Sequence, residues 1–520
     1  MPSEQRLHPA SLVFAFARSV KAFAVPGLVA AFGLGRASAP WNPQFGGARP
    51  PDTWEIWLML LIVPSVLAAF ARYFSFRLRY DDAELVIRSG ILFRNERHVP
   101  YHRIQNLDAV QNVVHRALRV IEVRIDTGAS KEPEATISVL PEAAFADMRR
   151  RVFAGRVPAS PDMAAGATAA AEETGQTLLR LPVRELLLCG FLENRGLVVV
   201  AAFYGLLWEV GLLGSLWNRI FESGGYAPGM VQNMMRTIAA GNRLPLAEMA
   251  VIASGVAFLL LLVRGLSMLW AVVRLHGFRL SRVGDDLRSE FGLTTRVSAT
   301  IPIRRLQSLT IREPLLYRLF GRARVRVETA GGGAQPGGQE KGLQREALAP
   351  IIRAGDVQAL VAQLVPAVDF ARFDWQPPDP RAFRRAVKPA LVLALLISAG
   401  AAAVLHWRAL YAAPLIAAWL VFVTYRQIQR LAWAATDDVV VFRSGWLGRN
   451  VTIVPVARIQ AVRRIETPFD RRTKMGRVRV DTAGAGPVSH RVDIPYLSRD
   501  VSFALHDRLA AGAAASAFRW

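Results

Sequence analysis

The sequence predicts a multi-pass α-helical membrane protein with about six transmembrane helices in three hairpins and three β-rich domains in the cytoplasm. Three observations support this fold class. Six apolar segments of nearly membrane-spanning length occur in pairs. A long polar region follows each pair, and the three polar regions repeat the same motifs at constant spacing. Arginine is abundant in these regions and scarce in the loops inside the pairs, as the positive-inside rule requires of cytoplasmic segments.

The apolar segments approach the roughly 20 helical residues that a bilayer core about 30 Å thick demands. They cover residues 12–34 and 54–71, 197–217 and 246–263, and 387–405 and 410–424. The last segment is the shortest. Tryptophans such as Trp54, Trp217 and Trp407 lie near segment ends, where amphipathic rings favour the headgroup boundary.

The distribution of cations predicts the orientation of these segments. The loops inside the pairs carry only Arg36, Arg49, Arg219, Arg236, Arg243 and Arg408. Cations close to the membrane on the other side include Arg72, Arg77, Arg79, Arg274, Arg426 and Arg430. We therefore expect both termini and all three polar regions in the cytoplasm of a bacterial cell, with the chain anchored in the inner membrane.

Composition excludes several other classes of protein. A hydrophobic content of 52% over 520 residues excludes a single soluble domain. The net charge is +23, and cations in cytoplasmic regions beside membrane segments explain it better than nucleic-acid binding does. Cys189 is the only cysteine, so the chain forms no internal disulfide and no Cys-rich metal site. We expect no cofactor.

Two motifs recur in each polar region. The first is Pro-x-x-Arg-Ile/Leu-Gln, which begins at Pro100, Pro302 and Pro455. A glycine precedes each proline by ten residues, at Gly90, Gly292 and Gly445. The second motif, Val-Arg-Ile/Val-Asp/Glu-Thr, ends 24 residues after the arginine of the first, at Thr127, Thr329 and Thr482. Constant spacing in three copies indicates one compact unit.

The second motif alternates apolar and polar residues, which is typical of a half-buried strand, and each copy ends in a helix-like stretch. The predicted hairpins are 1–72, 181–272 and 387–429, and the predicted domains are 73–155, 273–366 and 430–512. The predicted linkers are 156–180 and 367–386, and residues 513–520 form a predicted tail.

These motifs resemble those of the membrane-flanked bacterial pleckstrin-homology (PH) domain family, of the YdbS-like type. The three-copy layout is similar to that of the larger, YdbT-like members. The resemblance covers nearly the whole chain. It implies PH-like domains, each a curved and partly open β-barrel with a C-terminal helix, and it implies no catalytic activity. The second copy departs most, since Phe291 replaces the serine before Gly292 and a glycine-rich loop follows Thr329.

Strand alternation predicts a shared polar face in each domain. The face comprises Arg103, Gln105, Arg124 and Asp126 in the first copy, Arg305, Gln307, Arg326 and Glu328 in the second, and Arg458, Gln460, Arg479 and Asp481 in the third. Two interpretations remain open. The side chains form a stabilising cross-strand ladder, or the arginines bind phosphate headgroups or a partner's carboxylates.

Other candidates are weaker. Arg149, Arg150, Arg151, Arg471, Arg472 and Lys474 could face anionic lipid, but solvated charge is an equal alternative. Glu209 is an ionisable residue within a predicted span, near its outer boundary.

His98, His102 and His115 lack equivalents in the other copies, so we expect no metal site. The Gly331–Gly342 loop lacks a phosphate-loop motif, so we expect no nucleotide site.

Repetition without a catalytic constellation predicts a binding protein and not an enzyme. We expect membrane lipids around it and a protein partner, either a shorter PH-like relative or the chain itself, with an envelope or stress role implied by the resemblance. The alternative is a transporter or lipid-handling protein built on the helices. Nucleic-acid binding is the least favoured function.

Overall fold

The computed structural model describes residues 4–6, 11, 70, 73–81, 83–90, 94–101, 104, 106–126, 135–154, 176–193, 196, 201, 205, 246–329, 347–404, 407–483 and 492–515. The chain divides into two compact units, which we describe separately. The first comprises Met1–Thr174 and Thr295–Thr300, and the second comprises Gly175–Thr294 and Ile301–Trp520.

The first unit holds the first repeat as two antiparallel sheets and a helix. One sheet has the order β1 (Glu4–Arg6), β2 (Arg77–Tyr80), β3 (Glu84–Ser89) and β4 (Asn95–Pro100). The other contains β5 (Asn106–Gln111), β6 (Val120–Asp126) and β7 (Ala135–Pro141), with helices α1 (Val113–Ala117) and α2 (Glu142–Ala154). Apolar residues of both sheets and of α2 form one core, which includes Leu85, Val123 and Met148.

The second unit holds most of the second repeat and all of the third. The second repeat has strands β8 (Gln176–Arg180), β9 (Arg279–Val283), β10 (Asp286–Phe291), β11 (Arg296–Pro302), β12 (Leu306–Glu313), β13 (Arg322–Thr329) and β14 (Ala347–Arg353). Its helices are α3 (Val183–Leu192), α4 (Leu246–Leu275), α5 (Leu315–Leu319) and α6 (Val357–Leu364). Residues 296–300 of β11 belong to the first unit.

The third repeat has the same plan. Its strands are β15 (Ala432–Ala435), β16 (Val439–Ser444), β17 (Arg449–Pro455), β18 (Ile459–Ile465), β19 (Met475–Thr482) and β20 (Val492–Ser498). Its helices are α7 (Ala382–Val404), α8 (Ala413–Gln429), α9 (Pro468–Thr473) and α10 (Arg499–Ala515). Val440, Val478 and Leu505 come from its two sheets and from α10 and share one core. The domain is β-rich and ends in a helix, as predicted.

A short extended segment precedes each predicted membrane hairpin and joins the sheet that follows it. β1 pairs with β2, β8 pairs with β9, and Gln376 bridges to Trp433 of β15. The predicted linkers 156–180 and 367–386 thus contain residues that pair with strands of the second and third domains. The sequence signal is weak because these segments are only one to five residues long.

The repeated glycine before each first motif adopts a left-handed backbone. Gly90, Gly292 and Gly445 have φ values of 98°, 114° and 94°. Other residues reach this region only with strain, which explains why all three copies retain glycine.

Two helices among the described residues are long and apolar enough to cross a membrane, Ala253–Leu275 within α4 and Ala382–Ala403 within α7. Their apolar side chains point outward; Leu261 is 71% exposed and Leu395 is 69% exposed. α8, at 17 residues, overlaps most of the sixth predicted segment and is shorter than a full span. The segments 12–34, 54–71 and 197–217 lie outside the described residues except at single positions, so six spans remain a prediction.

Candidate binding surfaces of the repeated domains

The Pro-x-x-Arg motif forms a tight turn between the two sheets of a domain. After Pro302, residues Ile303–Arg305 form one turn of 3-10 helix, and Val456–Arg458 do the same after Pro455. Proline suits the start of such a turn because its ring fixes φ, here −63° in both copies. In the first copy, Arg103 and Gln105 lie outside the described residues.

The motif glutamine lies at a β-bulge. The pairing of β12 with β13 shifts between Leu306 and Ser308, and the pairing of β18 with β19 shifts between Ile459 and Ala461. Gln307 and Gln460 are the extra residues at these shifts. A bulge bends a strand and re-aims its side chains. The motif therefore has an architectural role in turning the chain from one sheet into the next.

The second motif alternates as predicted. In β13 and in β19 the valines are buried, whereas the intervening Arg326, Glu328, Arg479 and Asp481 are half-buried on the opposite face. Arg124 and Asp126 occupy the equivalent positions of β6. Their side chains lie outside the described set.

On this face the arginines and carboxylates take part in cross-strand contacts. Ser308 donates a hydrogen bond of 2.8 Å to Glu328. Arg479 donates to Asp493 at 2.9 Å, and this bond raises the pKa of the Arg479 guanidinium. Arg463 lies 3.5 Å from Asp481. A ladder therefore exists in the third domain, and its central acid, Asp493, follows buried Val492 in β20, an alternation that sequence reasoning could have used.

The strongest surface feature is a strand pairing that joins different repeats. Within the second unit, β12 of the second repeat pairs with β17 of the third, and Leu309 faces Ile453. Within the first unit, β5 of the first repeat pairs with β11 of the second, and Ala109 faces Ser298. We call each of these pairings a junction. Sequence reasoning missed both, because backbone hydrogen bonds leave no trace in side-chain type.

The two junctions have the same register. In each, the residue six positions after the motif glutamine faces the residue six positions before the next copy's motif proline. Gln111 faces Arg296 in one, and Glu313 faces Arg449 in the other. Glu313 and Arg449 also approach as an ion pair at 4.0 Å. The repeats are thus joined by one reproducible mode of strand addition.

Two strands at equivalent positions take part in no junction. In the part of the chain that the structure describes, β4 pairs with β3 alone and β18 pairs with β19 alone. The difference coincides with burial of the motif glutamine. Gln307 on the doubly paired β12 is 5% exposed, whereas Gln460 on β18 is exposed. We call β4 and β18 the open edges.

A buried polar cluster fixes α3 against the outer face of β13. Arg322 donates to Glu185 at 2.8 Å, and Arg324 pairs with Glu193. Arg324 also donates to the hydroxyl of Tyr317 at 2.7 Å, and the Cys189 sulfur lies 3.7 Å from the same oxygen. The sequence contained a signal for this contact, since residues 185, 189 and 193 repeat at helical spacing and Arg322 and Arg324 share one strand face.

Burial shapes the charge states in this cluster. It raises the pKa of the Tyr317 hydroxyl, with a further rise from Cys189, so the hydroxyl stays neutral. Burial alone would lower the pKa of Arg324, but its contacts with Tyr317 and Glu193 outweigh burial and the pKa is raised. The cluster is consequently a stable ion pair that joins α3 to the second domain.

The predicted lipid-facing cations differ in exposure. Arg471, Arg472 and Lys474 are exposed on and after α9. Arg151 is exposed but pairs with Asp147 at 3.0 Å, and Arg149 is half-buried. The side chain of Arg150 and the whole of Glu209 lie outside the described residues.

The described residues contain no group of three or more His, Cys, Asp or Glu side chains that could hold a metal ion. His98 contacts Glu84 at 2.8 Å, and His115 is buried. His102 lies outside the described residues.

Comparison with known proteins agrees with the repeated architecture. The family described as the bacterial PH domain matches three stretches of the chain, 21–156, 236–367 and 386–513. The transmembrane protein YdbT of Bacillus subtilis (strain 168) is 21% identical over 509 residues, which cover 96% of each chain. No solved structure gives a significant match.

Proposed function

Because the chain belongs to the bacterial PH domain family, we propose that it is a membrane-anchored scaffold whose three PH-like domains bind a protein partner or another copy at the cytoplasmic surface of the inner membrane. It is a membrane-associated PH-domain protein with three repeats. We further propose that its function is binding, that its three domains face the cytoplasm and that it resides in the inner membrane.

The repeated junction is the observation that carries this proposal. Strand addition to a sheet edge is a general mode of protein recognition, in which main-chain hydrogen bonds give affinity and neighbouring side chains give selectivity. The domains of this chain already bind one another in that way twice. The third domain retains an open edge at β18, which Gln460 and Arg463 flank with exposed polar groups.

Charge supports a location at the bilayer surface. The exposed Arg471, Arg472 and Lys474 each favour an anionic leaflet by roughly 1 kcal/mol. Arg385 near the start of α7 pairs with Asp470 of α9 at 2.8 Å, so the basic segment lies beside the first turn of an apolar helix. We propose that these cations contact lipid headgroups and that the domain acts without catalysis or cofactor.

Cross-linking at the open edge tests the scaffold role. A photo-reactive amino acid replaces exposed Gln460 in the tagged full-length chain, and adducts from native membranes are identified by mass spectrometry of proteins and lipids. We expect a protein adduct. The matched control carries the same group at Arg304, which is exposed in the turn of the second copy, where β12 is already paired on both sides. Equal adducts at both positions, or lipid adducts alone, contradict the proposal.

The alternative is a transporter or lipid-handling protein, for which an intramembrane carboxylate would be the first candidate. It predicts that Glu209→Gln abolishes the cellular phenotype while the combined Arg103→Ala, Arg305→Ala and Arg458→Ala changes leave it intact. The scaffold proposal predicts the reverse.

A further inference from the structure

The open edges are the positions at which the junction pattern stops. Each junction joins the first strand of one domain's second sheet to the last strand of the next domain's first sheet, as β5 with β11 and β12 with β17. Three domains in one chain make two such junctions. One strand of each type is left over, namely β18 in the third domain and β4 in the first.

Superposing the junction register on the open edges assigns specific residue pairs. The residue six positions after the motif glutamine is Glu466, and the residue six positions before the motif proline is Arg94. These are opposite charges, and they repeat the Glu313 and Arg449 pair of the existing junction. The same register places Arg464 opposite Glu96, which is a second pair of opposite sign.

The register also contains an unfavourable pair, Arg463 opposite Arg97. Charged residues on an exposed strand discourage unselective pairing, so an edge of this kind accepts a partner whose charges complement it. At β4, residues Glu96 to His98 are all exposed, whereas Val451 to Ile453 at the equivalent positions of β17 are buried. Two favourable pairs against one unfavourable pair favour a weak and reversible contact.

We infer that β18 of one chain pairs with β4 of a second copy of this chain, head to tail, in the register of the two internal junctions. The inference rests on the proposed scaffold function and names its partner. Because the two surfaces differ, the contact is heterologous, and repeated use of it produces a ring or a filament. Such an assembly would repeat the internal junction between the third domain of one chain and the first domain of the next.

Mixed cross-linking of two single-cysteine variants tests this inference. Full-length Arg94→Cys and Glu466→Cys chains are purified separately, mixed in lipid nanodisc or micelle samples and treated with a short thiol-to-thiol cross-linker. Both positions lie at strand ends, and native Cys189 is buried. We expect a covalent dimer in the mixture. Arg94→Cys alone and Glu466→Cys alone are the matched controls, in which a head-to-tail contact brings no two new thiols together.

A charge-swap series gives a second measurement that does not depend on thiols. Glu466→Arg and Arg94→Glu should each weaken self-association roughly two- to five-fold, and the double variant should restore it. Absence of a mixed dimer, or dimers of equal yield in the single-variant controls, overturns the head-to-tail inference. If the purified chain does not self-link but Gln460 in native membranes captures a different protein, the scaffold function stands and only this inference fails.

Discussion

Thr310 and Thr452 face each other across neighbouring strands with hydroxyl oxygens 3.5 Å apart, although one belongs to the second repeat and the other to the third. The sheet that contains them serves two domains. Val325 and Leu309 belong to the buried face of the second domain, whereas Val454 lies on the other face and enters the core of the third. The two domains are therefore one continuous structure, and movement of one against the other requires this pairing to break.

Hydrogen exchange should distinguish β12 from β18 in spite of their shared motif. β12 is paired on both sides, whereas β18 is paired on one, so about half of the β18 amides lack a ladder partner. We expect peptides from β18 to exchange much faster than peptides from β12 in dilute micelle samples, measured by mass spectrometry.

The strand next to β12, which is β13, and the strand next to β18, which is β19, are the internal controls for that measurement. β13 and β19 are each paired on both sides and should exchange at similarly slow rates. Equal protection of β12 and β18 at low protein concentration would contradict the assignment of β18 as an open edge. Protection of β18 that rises with protein concentration would agree with head-to-tail pairing.

The glycine that precedes each motif should resist substitution. Gly445 has φ of 94°, and a Cβ there would overlap the carbonyl oxygen of Gly448. Gly445→Ala should lower the free energy of unfolding by more than about 1 kcal/mol. Gly355→Ala is the control, because Gly355 has an ordinary φ and no atom within 4 Å of the added Cβ. Thermal unfolding followed by tryptophan fluorescence compares the two variants. Similar losses of stability would show that the positive φ at Gly445 does not cause the effect of its substitution.

Local patterns predicted the individual domains well because side-chain alternation and glycine turns depend on nearby residues. The valines of Val325-Arg326-Val327 are buried as alternation requires, and Gly90, Gly292 and Gly445 all have positive φ. Arg305 and Arg458 were expected on a strand but lie in a 3-10 turn, because the preceding proline and the following bulge interrupt the strand.

Long-range relationships were harder to predict. The run Val439-Val440-Val441 lacks alternation and is buried throughout, which is typical of a strand covered on both faces. That run is consistent with a second buried face, but side-chain type alone does not identify the second domain as its cover. The strand at Gln176–Arg180 was missed because its partner, β9, follows about 100 residues later, beyond the second predicted hairpin.

The cluster between α3 and β13 should show strong coupling between its charges. Arg324→Met leaves Glu193 partly buried without its cation, and Glu193→Gln leaves Arg324 without its anion. Each single change should cost about 3 kcal/mol, whereas the double change should cost less than the sum. A double-mutant cycle on thermal stability measures the coupling energy. Additive losses would mean that the two groups act independently.

Acid should weaken the attachment of α9 to the start of α7. Asp470 accepts hydrogen bonds from Thr467 and Arg385, and these contacts, with the charge of Arg385, outweigh burial and lower the pKa of its carboxyl group. A carboxyl whose pKa is lower in the folded state contributes stability that is complete above its unfolded pKa of about 4 and is lost as the pH falls through the folded value. We therefore expect the melting temperature to fall below about pH 4. Asp470→Asn removes this titration, so its melting temperature should be lower at neutral pH and should change less between pH 5 and 3 than that of the unchanged chain. An identical pH profile in the two chains would show that other carboxyl groups control the acid response.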